Sequence, residues 1–445
     1  MKKKLFLLGL LFSAPVWAES DPFSVYVTKA PEGCIDVPAT QQELTLPELI
    51  QIGVCNNPTL GRGYISVKVS EASYGQGKSA YLPSISASGR ISQIHQKTEE
   101  LDSENNHPYS GNVALSWLLY DFGGRTAKNE KLKAYLESAQ FSYNALLHDT
   151  TLAINQAYFD LLSAQEVLKS TQESEKSFKK SYEESVKRFE LGLVSASDKL
   201  LSKTSYEQSR LDVVRAKNTL KKTQGTLAVL LNLSPDTELK VTTPSKDKDV
   251  TKLETEQNIQ ELMETALTLR PELKSKKSEM TVAEREIEIA KSAGLPSISF
   301  GASLDFGDNW KHHNPYKRET SAGLTLSVPL FTGFSDMYNI AKAKYQYRQA
   351  TLSVLETIDS VRNDVWNSYQ DYMTAVDSYQ ISSNMLESAV ENERVAFASY
   401  QVGKGSILEL LTAGSQLATV RQQVIVAFYS VLTSKANLYR AIGRF

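Results

Sequence analysis

Three features of the 445-residue sequence predict a mixed α and β chain built as an internal tandem duplication. A turn, RFELGLVSASDKLL at 188–201, returns as SYQVGKGSILELL at 399–411, which matches Gly192 to Gly403 and Ser195 to Ser406, 211 residues on. Each half also carries two stretches of strict polar and apolar alternation, the period of a half-buried strand. Finally, each half holds one long run with no proline and almost no glycine, from Thr126 to Leu191 and from Ser335 to Val402, the composition of an unusually long helix.

At the N-terminus, residues 1–18 combine Lys2, Lys3 and Lys4 with an apolar run from Leu5 to Phe12 and small residues around Val16-Trp17-Ala18. That is the pattern of a cleaved secretory signal. The mature chain is expected to begin at Glu19, and because no cysteine follows the cleavage site directly, lipid anchoring is not expected. Residues 19–43 form an N-terminal extension. The chain's two cysteines, Cys34 and Cys55, lie close together in an exported protein and are expected to form a disulfide.

With 41% hydrophobic and 22% charged residues the chain can bury a core, and its formal net charge of −2 becomes more acidic once the signal is removed. Nucleic acid is therefore not an expected partner. Beyond the signal, no stretch approaches the roughly 18 consecutive apolar residues of a membrane-spanning helix.

The repeats are expected at 44–239 and 258–445, joined by an inter-repeat linker at 240–257. LTLPELIQIGVCNNPTL (44–60) parallels NIQELMETALTLRPEL (258–273), AYLPSISASG (80–89) parallels AGLPSISFGA (293–302), and LLYDFGG (118–124) parallels PLFTGF (329–334). In the first half Ile85, Ala87, Gly89 and Ile91 alternate with serines and Arg90, and Val113, Leu115, Trp117 and Leu119 form a second apolar face. The second half repeats the device with Ile298 to Phe306 and with Ala322, Leu324, Leu326, Val328 and Leu330. Two hairpins are predicted, with long polar loops at 93–110 and 307–320.

The two helix-forming runs would each extend about 100 Å at 1.5 Å per residue. In the second, apolar or small residues recur in steps of three and four from Ile340 to Tyr400, and the stripe resumes after the turn at Ile407, Leu410, Gly414, Leu417, Val424, Phe428, Val431, Leu438 and Ile442, interrupted by Arg421 and Lys435, which predicts coiled-coil packing. Each repeated turn is then an αα-hairpin tip. Gly192 and Gly403 supply the left-handed residue that ends one helix, and Ser195 and Ser406 cap the next, with Asp198 and Glu409 three residues on as capping-box partners.

Four amphipathic strands are too few to close a barrel, and open sheet edges are not tolerated in lipid. Several chains must share one barrel, with their strands in an outer membrane. At this point the chain resembles the TolC-like outer-membrane efflux proteins, through the paired tips, the Leu-Pro-Ser strand starts and the LLYDFGG turn, over nearly the whole mature sequence. The resemblance implies a homotrimer with a twelve-stranded outer-membrane β-barrel, four strands per chain, continuing into a long α-helical coiled-coil periplasmic tunnel. It further implies an exit duct of tripartite efflux or type I secretion, opened at its tip by a periplasmic adaptor protein and an inner-membrane transporter.

Family members narrow the tip with acidic residues early in the last long helix. Here Glu409 matches the first such position and Thr412 stands at the second. Glu409 admits two compatible readings, helix cap and pore constriction, and Asp198 is the acidic residue of the other tip. Tyr400 matches a tyrosine whose hydroxyl bonds that acidic residue, so a Tyr400–Asp198 gate hydrogen bond is expected, beside the plain reading of Tyr400 as a packed aromatic. The family's arginine after the second-tip glycine falls on Gly405, with Lys404 as a possible substitute.

Other motifs carry nothing further. Asp121-Phe122-Gly123 is a kinase fragment without the rest of a kinase and is read as a strand-to-helix turn. His312-His313 is read as a solvated loop. No metal site, cofactor or enzymatic constellation is expected. The alternative to a conduit is a non-conducting periplasmic coiled-coil adaptor or tether, but such a protein has no need of two amphipathic β-hairpins.

Overall fold

The computed structural model describes residues 43–98, 101–106, 108–243, 258–309 and 317–444. The signal segment, Cys34, most of the linker and His312-His313 lie outside the described residues. The order of elements is α1 (Leu46–Asn56), α2 (Pro58–Ser79), β1 (Ser84–Ile91), β2 (Ile94–Thr98), β3 (Leu101–Asn106), β4 (Pro108–Tyr120), α3 (Gly124–Glu190) and α4 (Ala196–Leu230). Then follow α5 (Ile259–Leu269), α6 (Pro271–Ser292), β5 (Ser297–Asn309), β6 (Lys317–Ser327), α7 (Ser335–Gln401) and α8 (Ile407–Ile442). The duplication is visible in the helix lengths: α1 and α5 have 11 residues each, α2 and α6 have 22, and α3 and α7 have 67.

The chain divides into two compact units. Of the described residues, one unit is built on Ile65–Phe141 and Lys274–Leu355 and contains the sheet; the other holds 43–64, Ser142–Leu273 and Glu356–Phe445.

In the first unit the sheet is antiparallel with strand order β1-β4-β5-β6. Its register aligns the apolar positions across all four strands: Ile85 opposes Leu115, Leu115 opposes Ala302, and Ala302 opposes Ala322. The next apolar row joins Trp117, Phe300 and Leu324. The opposite face is polar, with Ser86, Ala114, Ser303 and Ser321 in one row and Ser88, Asn112, Asp305 and Glu319 in another. There Asn112 Nδ2 donates to Asp305 Oδ1 at 2.6 Å, and the hydroxyls of Ser303 and Ser321 lie 2.9 Å apart. The apolar face is uncovered within one chain: Ile85 is 72% exposed and Leu324 70%. Among the described residues, β1 and β6 each pair along one side only.

Two expectations are corrected here. The segment 93–110 is not a long loop, because β2 and β3 form a separate two-stranded hairpin within it. Its polar sequence offers no apolar stripe for periodicity to display. Val328 and Leu330 do not extend the last strand, which ends at Ser327; Pro329 has no N–H to give to the ladder.

Each second strand enters its long helix through a left-handed turn, with φ of +52° at Phe122 and +91° at Gly123, and of +63° at Gly333 and +65° at Phe334. Asp121 accepts a hydrogen bond from the Arg125 N–H at 2.5 Å, so the Asp-Phe-Gly sequence is a helix-capping turn. The Arg125 side chain donates to the carbonyls of Leu118 (2.6 Å), Leu119 (3.2 Å) and Ala80 (3.3 Å) and lies over the Tyr81 ring. Carbonyls freed where the strand ends thereby regain partners.

In the second unit, Leu49 and Ile52 of α1 pack with Ile154, Leu161, Leu162, Leu227 and Leu231 in one core cluster, and Leu262 and Ala266 of α5 pack with Val361, Val365, Tyr372 and Leu438 in a second. The α8 stripe is buried at Ile407, Leu410, Leu417, Phe428, Val431, Leu438 and Ile442, as steps of three and four require. Residues at the start of the expected linker lie beside Leu44, whose N–H donates to the Lys240 carbonyl at 2.9 Å and whose carbonyl accepts from Thr242 N–H at 3.0 Å.

Candidate functional site

The two hairpin tips both belong to the second unit. At the end of α3, Gly192 takes φ of +71°, its N–H reaches the Phe189 carbonyl at 2.9 Å, and the Leu193 N–H reaches Arg188 at 2.9 Å. At the end of α7, Gly403 takes φ of +77°, its N–H reaches Tyr400 at 3.1 Å, and the Lys404 N–H reaches Ser399 at 2.9 Å. These paired bonds are a Schellman closure, which satisfies carbonyls that a helix end otherwise leaves open. Only glycine reaches this backbone region without steric cost.

The following helices start in the same way as each other. Ser195 Oγ accepts from Asp198 N–H at 3.1 Å while Asp198 Oδ2 accepts from Ser195 N–H at 3.1 Å. Ser406 Oγ accepts from Glu409 N–H at 3.2 Å, and Glu409 Oε2 accepts from Ser406 N–H at 3.1 Å. Both carboxylates therefore complete capping boxes. Glu409 is exposed and Asp198 half-buried in the isolated chain.

Tyr400 is buried at the centre of a small cluster with Ile407, Leu410 and Leu411, packed against Phe178, Ala396 and Phe397. The expected hydrogen bond to Asp198 is not formed: the Tyr400 hydroxyl has no partner among the described residues. Asp198 turns its Oδ2 back to the Ser195 N–H, while the Tyr400 hydroxyl is enclosed in its own cluster. The Tyr400 ring carries the Arg188 guanidinium 4.7 Å from its centroid. Burial holds the Tyr400 phenol above its usual pKa, Arg188 opposes that shift, and Asp198 and Glu184 add to it.

Arg188 is the residue that sequence reasoning passed over. It donates to the Gln401 carbonyl at the end of α7 and lies 3.4 Å from Glu184 one turn back in its own helix. A basic residue in the last turn of α3 is visible in the sequence, but its reach to a residue 213 positions away is not.

Among the described residues no group of three His, Cys, Asp or Glu could hold a metal ion, and no helix is long and apolar enough to cross a membrane. Cys55 lies in the last turn of α1 and is not a free thiol.

The chain is similar to known proteins over nearly all of its length. It is 26% identical over 410 residues to Protein CyaE of Bordetella pertussis, covering 90% of this chain and 84% of that one. It is 22% identical to the outer membrane protein TolC of Escherichia coli, covering 90% and 83% of the two chains. Among solved structures, CusC superposes with a TM-score of 0.80 at 20% identity over 89% of this chain and 92% of that one, and the outer-membrane channel OprN with 0.79 at 18% identity over 94% and 98%. CusC forms a transmembrane channel and OprN is an outer-membrane channel. The model of the family described as outer membrane efflux protein matches twice, at residues 49–233 and 262–444. Matched in both halves of its duplication, the chain belongs to the outer membrane efflux protein family and is an outer-membrane channel of efflux or secretion.

Proposed function

We propose that three copies of the chain close one twelve-stranded barrel and act as a passive exit duct, opened at the hairpin tips by a periplasmic adaptor protein and an inner-membrane transporter. The observation that carries this reading is the two-faced sheet with unpaired edges. Burying one large apolar side chain is worth roughly 1.5–3 kcal/mol, so a face bearing Ile85, Val113, Trp117, Leu324 and Leu326 exposed calls for a lipid cover. In lipid, the free edges of β1 and β6 call for other strands, and a ring of identical sheets supplies them. The polar face, lined by Ser, Asn, Asp and Glu, then surrounds water.

Relatives include a toluene efflux pump outer membrane protein of Pseudomonas putida and a toxin and drug export protein of Aggregatibacter actinomycetemcomitans. Such different cargoes on one architecture support a duct that does not itself select cargo. Detergent-extracted protein should have three times the mass of the mature chain and should conduct ions in planar bilayers; a monomer that conducts nothing would overturn the proposal.

Glu409 and Asp198 are proposed to form the constriction at the mouth. If copies of Glu409 meet around one axis, their negative charges draw cations into the mouth. Thr412 adds no second acidic ring, so Glu409→Gln should abolish most of the cation preference, measured as a reversal potential under a salt gradient. Glutamine also serves a capping box, so an unchanged preference would assign Glu409 to capping alone.

A further inference from the structure

At the tips, the side chain of Arg188 reaches from the first hairpin of each chain to the second. Arg188 leaves the last turn of α3 with its side chain 14% exposed and uses both its face and its edge on the second hairpin. The face lies on the Tyr400 ring, 4.7 Å from the centroid, and the edge donates to the Gln401 carbonyl. That carbonyl is one of the groups a helix end leaves without an intrahelical partner, and a cation there also faces the negative end of the α7 dipole. The Tyr400 hydroxyl adds no hydrogen bond of its own, being buried without a partner among the described residues. Gly405, where the family resemblance places an arginine, has no side chain to offer.

We propose that Arg188 is the positioning residue that holds the tip closed, so that any opening which draws α7 and α8 away from α3 must break its bond to Gln401 and lift it from Tyr400. This rests on the conduit reading above. The guanidinium suits the role because one planar group stacks and donates at once, which an ammonium on a flexible stem does not reproduce.

The test is single-channel recording of the purified full-length protein in planar bilayers without adaptor. Arg188→Ala should raise open probability about tenfold, the effect of losing one hydrogen bond to a charged group, while retaining the heat-resistant oligomer on gels. Arg188→Lys should fall between the two, Tyr400→Leu should open the channel as Arg188→Ala does, and Tyr400→Phe should match wild type because the lost hydroxyl bonds nothing. Equal open probability in wild type and Arg188→Ala would overturn the latch and leave the conduit intact. Opening by Tyr400→Phe would also overturn it, by assigning the restraint to the hydroxyl. A wild-type protein that never conducts would instead remove the conduit reading. Should Arg188→Ala fail to assemble, Arg188→Lys and Tyr400→Leu decide the matter: wild-type behaviour in both overturns the latch, and opening in both supports it.

Discussion

Gly403 allows the tip to be perturbed through backbone conformation alone. Its φ is +77°, and a Cβ built on it meets nothing within 4 Å, so a substitution there adds no clash and removes no contact. What it adds is the cost of holding an L residue in the left-handed region, about 1–2 kcal/mol and toward about 3 kcal/mol for a β-branched side chain. A cost of about 2 kcal/mol shifts the ratio of native to distorted tip by a factor of roughly 30. The bonds released would be those from Gly403 N–H to Tyr400 and from Lys404 N–H to Ser399.

Lys404 provides the readout, because trypsin cleaves after lysine and needs the tip to open before the chain can enter its cleft. Where opening and closing are fast, the cleavage rate follows the population of the open form. Gly403→Val should therefore raise the rate of cleavage at Lys404 by about 30- to 150-fold, for a cost of about 2–3 kcal/mol, with Gly403→Ala smaller, while the protein still reaches the outer membrane and loses export. Gly414 is the control: it lies inside α8 without a positive φ, and a Cβ there would meet Phe178 at an ordinary 3.4 Å, so Gly414→Ala should leave the rate unchanged. Cleavage of Gly403→Val at the wild-type rate would refute the reasoning.

Further predictions follow from other parts of the chain. A Cβ at Gly111 would lie 2.3 Å from Phe306 Cζ, so Gly111→Val should evict that ring from the sheet and cost about 1–3 kcal/mol, seen as a lower dissociation temperature of the oligomer and partly restored by adding Phe306→Ala. His148 has its pKa lowered, first by burial and also by Arg440, against the opposing pull of Glu272 and Asp149. The unfolded chain therefore takes up a proton before the folded one does, and stability present above about pH 6.5 should be lost as pH falls through the folded pKa. Thermal melts over that range should show this slope and should flatten in His148→Gln. The proposed Cys34–Cys55 bridge closes a short loop worth roughly 3 kcal/mol; mass spectrometry of the untreated protein should find no free thiols, and reduction should lower stability without abolishing conduction.

The parts of this fold that sequence reasoning reached are those where the cause is local. Gly192 and Gly403 followed by Ser-x-x-acid mark a helix stop and the next start within a few residues. The long helices are marked by the absence of anything that would break them. The apolar rows of the sheet are legible because Ile85, Leu115 and Ala302 each alternate with polar neighbours in their own strand. The β2–β3 hairpin escaped because its pairing needs no apolar stripe, and Arg125 escaped because its partners are carbonyls, which no sequence pattern displays. The Tyr400–Asp198 bond was expected from resemblance alone, whereas the Tyr400 hydroxyl is enclosed in its packed cluster without a partner among the described residues. Arg188 reaches Gln401 across the duplication, so its role exists only once the two repeats have packed together.

The duplication itself explains why the tips are not equivalent. At the spacing that matches Gly192 to Gly403, Phe189 falls on Tyr400 and Arg188 falls on Ser399. The first tip thus sends an arginine to the second, and the second has a serine where the returning arginine would be. Gly405 lets the turn fold back closely on this position, since a Cβ on Gly405 would come within 3.1 Å of the Ser399 Cβ. A pair of reciprocal arginines would hold both hairpins equally; one arginine makes the first hairpin the anchor and the second the part that is held. Lys199 lies over the Phe189 ring at 4.9 Å within the first hairpin, so the aromatic position there is occupied by a cation from its own hairpin and needs none from across. Repeats whose helices match in length to within one residue have diverged at the few residues where, on the proposed latch, one hairpin moves against the other.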